Sequence, residues 1–190
     1  MLNTLNPAPN KPSAPPPGFA LWNLGFRPFY LLASLFSVFS VLLWAGQFSG
    51  LVPGLYLSNP LWHGHEMLFG YTTAVIAGFL LTAVGNWTGK KTPSGTPLML
   101  LAALWLAGRV LVLTPWPMLA ALVNAAFPLA VGVAIAIPLW RSQNKRNYFF
   151  VGLMVVMSLL ILSMHLAMQG KLDFSPQRGL YLELDLVLFI

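Results

Sequence analysis

LWHGHEMLFGYTTAVIAGFLLTAVGNWTGK, residues 61–90, joins a packed polar cluster to an apolar run long enough to cross a bilayer. Two of the chain's three histidines and one of its four acidic residues, His63, His65 and Glu66, fall within four positions. Asn59 and Pro60 just ahead read as a helix start, with Asn as cap and Pro at the first helical position, so the cluster is expected in the first turns of a helix. On a regular α-helix His63, Met67, Gly70, Ala74 and Gly78 lie within about 80° of one another. That is a small-residue stripe that lets a second helix come close, so His63 is expected to point into protein. His65 lies about 200° from His63, and Glu66 about 60° from it, so the two histidines cannot chelate one ion from a regular helix. They serve two sites, or one ligates and the other supports.

Working outward, 57% of the 190 residues are hydrophobic and 7% charged, against roughly 25% charged in soluble domains. The chain reads as an integral membrane protein. It has no cysteine, which excludes disulfides, thiolate metal sites, iron–sulfur clusters and cysteine nucleophiles. A metal would have to be held by His, Met or carboxylate. The net charge of +6 is scattered in ones and twos near expected helix ends, which marks topology and argues against nucleic acid as a partner.

Residues 1–20 are Pro-rich and polar and read as a flexible tail without a cleavable signal. The predicted architecture is all-α, a polytopic transmembrane bundle over residues 21–190 with five full spans at about 28–46, 61–84, 97–113, 117–140 and 148–168. Each is near the ~20 residues that cross a bilayer. A sixth begins near residue 180 and is incomplete, since the last eleven residues make about 16 Å of helix against a hydrocarbon core of roughly 30 Å. The chain is therefore expected to be truncated or a fragment. Lys11, Arg27, Lys90, Lys91, Arg141, Lys145 and Arg146 on the tail side outnumber Arg109, Lys171 and Arg178, which predicts a cytoplasmic N-terminus.

With that orientation His63, His65, Glu66, Arg109, Asn124, His165, Glu183 and Asp185 share the outer leaflet. Ionisable groups inside a membrane are costly and usually functional, although those near helix ends, such as Arg109 and Asp185, also snorkel into water. Neutral imidazoles beside a carboxylate match a ligand with an orienting partner, and Met67 is a reachable soft ligand. There is no nucleophile elbow, phosphate loop, dinucleotide fingerprint or HExxH. The residues alone reach a helical bundle with a His and carboxylate site suited to metal or haem, or else a proton- or metal-coupled transporter with Glu66 and Asp185 as relays, or a structural subunit.

GFRPFY (residues 25–30), LWHGHEMLFGY (61–71), IAGFLLTAVGNWTGK (76–90), LWLAGRV (104–110) and LDLVLF (184–189) together resemble the bacterial NnrS family. The resemblance implies a multi-pass inner-membrane protein of the nitric oxide response, associated with denitrification, that contains haem and copper. It carries over His63, His65 and Glu66 as site residues; depth and facing add His165 and Met67. On that footing His63, His65 and His165 are expected as haem or copper ligands, with nitric oxide as a ligand. Glu66 is expected to orient an imidazole, Arg109 to pair with a haem propionate, and Asp185 to play a supporting part. Family members look about twice as long, which implies a missing C-terminal half or a partner membrane subunit.

Overall fold

Proline and glycine punctuate the helices as their backbone chemistry requires. In the computed structural model, helix α1 (Phe26–Phe48) carries Pro28 in its first turn and follows a short 3-10 turn, Ala20–Asn23, whose Ala20 carbonyl accepts from Arg27 Nη1 at 2.7 Å. Helix α4 (Thr96–Leu111) has Pro97 and helix α5 (Pro117–Arg141) has Pro117 in the first helical positions, where a missing N–H costs nothing. The structure describes residues 20–52 and 59–173, with 175, 178, 181, 182, 184 and 185. Residues 1–19 of the expected 1–20 tail, the side chain of the Asn59 cap and most of the expected sixth span, Glu183 included, lie outside them.

The second expected span is one continuous helical segment in three parts. Helix α2 (Asn59–His65) passes into a π-helical stretch, Glu66–Thr72, and then into helix α3 (Thr73–Thr88), which Gly89 closes in the left-handed conformation at φ +64°. Sequence periodicity predicted a regular α-helix here. A π-helix bonds i→i+5 and loosens the ordinary pairing, and side chains take up the difference: Thr72 Oγ1 donates to the Met67 carbonyl at 2.9 Å, while Thr73 Oγ1 and Trp105 Nε1 donate to the Gly70 carbonyl at 3.2 and 3.0 Å.

Helix α6 (Phe149–Met168) completes the bundle. α3 packs against α1 and α5, while α5 also packs against α4 and α6. Small residues set these distances: a Cβ on Gly78 would sit 3.0 Å from the Tyr30 ring of α1, and one on Gly132 3.0 Å from Met154 Cβ of α6. The core between them holds Phe29, Leu80, Leu81, Trp105, Val131 and Met157. Outside it Leu35, Leu42, Val133 and Leu159 are all more than half exposed, the outward apolar surface of a chain whose solvent is lipid.

Four segments, Phe26–Phe48, Leu61–Thr88, Pro117–Arg141 and Lys145–Met168, are long and apolar enough to cross a membrane. The expected span over residues 97–113 is the 16-residue α4, about 24 Å long. It is short because the backbone tightens after Leu111, whose carbonyl accepts from the Thr114 N–H at 3.0 Å. Among the described residues there is no strand.

Candidate functional site

Each polar side chain of interest leaves its helix near the end of the bundle where α1 stops and α2 starts. Arg109 and His165 lie in the last turns of α4 and α6, Glu66 opens the π-helical stretch, and Asn124 sits two turns into α5. They join in one buried chain. Arg109 Nη1 donates to Glu66 Oε2 at 2.6 Å, and Arg109 Nη2 donates to Asn124 Oδ1. Asn124 Nδ2 donates in turn to the carbonyls of Ala120 at 2.8 Å and Gly108 at 3.3 Å. On the other side His65 Nδ1 donates to Glu66 Oε1 at 2.8 Å, and His65 Nε2 faces His165 Nε2 at 3.0 Å.

This order sets the proton positions. With its Nδ1–H committed to the carboxylate, His65 presents the lone pair of Nε2 to His165, the arrangement by which a carboxylate orients a ligating imidazole. Both rings are wholly buried. Arg109 and Glu66 compensate each other, as buried charges must. Aromatic faces help: the guanidinium lies 5.8 Å from the Trp105 ring centre and 5.9 Å from that of Phe36.

Two glycines make the approach possible. A Cβ on Gly70 would overlap Arg109 Nη1 and sit 3.1 Å from Glu66 Oε2, and one on Gly108 would sit 3.0 Å from Asn124 Oδ1.

The two histidines of the HxHE cluster part company. His63 turns to α1, its half-buried ring stacked on Trp44 at 4.4 Å and its Nδ1 buried without a partner, whereas His65 turns to α6. His63 thus packs against α1, and it is His65 that meets a second histidine. Met67 is half-buried and Asp185 exposed, outside this chain of contacts. Arg109 has both terminal nitrogens engaged, leaving only Nε without a partner. Trp105 and Trp44 were not anticipated as parts of the site. Trp105 could have been, because it lies four residues before Arg109 on one face of α4.

A family model described as NnrS protein matches residues 20–190. The chain belongs to the NnrS family. With its long apolar helices, that membership makes it a membrane protein. No curated protein and no solved structure matches it.

For an NnrS chain the fit of copper and haem can be tested on the histidine pair. Metal–imidazole bonds of about 2.0–2.1 Å can meet across a 3.0 Å gap, so the pair fits one small ion, and imidazole suits copper. A haem iron held between opposite imidazoles needs about 4 Å between the two nitrogens on the same bond lengths. The pair as it stands does not fit that arrangement. Among the described residues no group of three or more His, Asp or Glu could hold a metal ion.

Proposed function

We propose that this chain serves the membrane-borne response to nitric oxide through a copper-binding histidine pair, His65 and His165, with Glu66 as the group that orients His65. Family membership supports the nitric oxide role. The observation that carries the site is the linear order Arg109, Glu66, His65, His165, with contacts of 2.6, 2.8 and 3.0 Å. Copper, when bound, supplies one-electron chemistry and an affinity for nitric oxide. The chain's own residues do the rest. His65 and His165 offer neutral ring nitrogens, Glu66 holds the His65 tautomer, and Arg109 with Asn124 holds Glu66 in place. The buried setting excludes water. No haem step is assigned, because the pair does not accommodate one.

The test pairs copper content with nitric oxide sensitivity in one strain. His65→Ala and His165→Ala are expected to lose most bound copper and the associated protection, with His63→Ala retaining both. Glu66→Gln, which keeps shape and loses charge, is expected to bind copper about 10- to 100-fold more weakly, the usual effect of removing an orienting partner. Full copper occupancy in the His65→Ala, His165→Ala double variant would end the reading. A continuous buried hydrogen-bonded chain also suits proton transfer, the second reading. A copper-free native protein whose Glu66→Gln variant loses proton-coupled uptake would favour it.

A further inference from the structure

At the end of the bundle away from the histidines, a crevice of about 420 Å³ lies between the end of α3 and the start of α6, lined by Trp87, Asn144, Arg146, Asn147 and Phe150. A short 3-10 turn, Lys145–Asn147, forms its rim. Two amides tie that rim to α3: Asn147 Nδ2 donates to Asn144 Oδ1 at 3.1 Å, and Asn144 Nδ2 donates to the Trp87 carbonyl at 3.5 Å. The apolar wall is the Trp87 ring, stacked on Phe150 at 5.4 Å and meeting Phe79, about two turns deeper in α3, at 6.1 Å. Phe79 and Trp87 both present outward surface, so an aromatic strip runs from the polar rim down the lipid-facing side of α3.

The rim is strongly basic. Lys90 and Lys91 follow Trp87 closely, and Arg141, Lys145 and Arg146 flank Asn144, all five exposed. No acidic residue occurs in residues 67–172, and among the described residues the ion pairs gather at Glu66, so none of these five cations is neutralised there. Loop cations of this kind set topology. Arg146 differs from the others in lining the crevice, together with amide groups and an aromatic wall. Its planar fork suits a phosphate, and Asn147 Nδ2 keeps a second N–H to donate. A ligand that matches both surfaces carries an anionic group on an apolar body. At a membrane surface the phosphodiester of an anionic phospholipid meets that description, because its acyl chains already lie in lipid. A free phosphate would leave the aromatic strip unused.

We propose that this crevice binds the head group of an anionic phospholipid, with Arg146 and the Asn147 amide on the phosphate and the acyl chains along Trp87 and Phe79. This binding does not depend on copper at the histidine pair. The test titrates the purified full chain in a non-ionic detergent with dioleoyl phosphatidylglycerol or dioleoyl phosphatidylcholine, and counts bound lipid by native mass spectrometry. The first phosphatidylglycerol is expected to bind more tightly than phosphatidylcholine, whose phosphate is balanced by its own cation. Arg146 is exposed and makes no side-chain hydrogen bond among the described residues, so Arg146→Gln should fold normally and weaken phosphatidylglycerol about tenfold, the effect of one charge-assisted hydrogen bond. Arg141→Gln removes the same charge at the same end but outside the crevice, and should keep wild-type affinity. Inorganic phosphate in excess should not displace the lipid. Equal affinity for the two lipids, wild-type affinity in Arg146→Gln, an equal loss in Arg141→Gln, or displacement by inorganic phosphate would overturn the proposal.

Discussion

Gly70 has to be glycine because Arg109 passes through the space a side chain would fill. In an ordinary helix interior an alanine is better than a glycine by roughly 0.5–1 kcal/mol. Here that gain is reversed, since the methyl group would displace a guanidinium held by a buried carboxylate. Gly70→Ala is expected to destabilise by about 1–3 kcal/mol, the range for overpacking, with loss of any copper that depends on the Glu66 geometry. Gly152 in α6 is the control, because a Cβ there would meet nothing within 4 Å. Gly152→Ala should be neutral or slightly stabilising. Thermal unfolding of the purified variants decides the matter, and an equal response of the two glycines would contradict the close approach. The need for Gly70 was not visible in the one-dimensional pattern. Gly70 appeared there only as part of a small-residue stripe.

The π-helical stretch Glu66–Thr72 is the element that sets the site. It connects the histidine turn to the core-forming α3 with a register an unbroken α-helix would not have, and Trp105 of α4 anchors it through the Gly70 carbonyl. Trp105→Phe keeps the ring against Arg109 but leaves that carbonyl one donor short. The expected cost is about 1 kcal/mol in thermal unfolding, typical of one hydrogen bond. A variant as stable as the wild type would show that Thr73 alone satisfies the carbonyl. The helix itself was legible in the sequence, through its apolar length. The π-turns were not, because they arise from competition among side-chain donors on two helices, and hydrophobic periodicity cannot register a donor on another helix.

The bundle brings the residue 90–91 loop and the residue 145–147 turn to one end, where Asn144 Nδ2 reaches the Trp87 carbonyl at 3.5 Å. The α6 end, followed by Lys171 and Asp173, lies at the other. Reporter fusions after Lys91 and after Arg146 should therefore read the same side, with one at Asp173 reading the opposite side. The excess of basic residues near the first two predicts a cytoplasmic reading there. A split between Lys91 and Arg146 would break the helix order described above. The sequence by itself determined that this chain lives in a membrane, that it is helical, and that polar chemistry gathers around residues 63–66. Those conclusions rest on composition and apolar length, which a bilayer reads directly. It also placed His63 and His65 on different sides of their helix, since 3.6-residue periodicity separates neighbours two apart. Only the tertiary structure decided which histidine meets a partner. His65 and His165 are 100 positions apart, and whether their rings meet depends on how α2 and α6 pack and on glycines at other crossings, which no local pattern encodes.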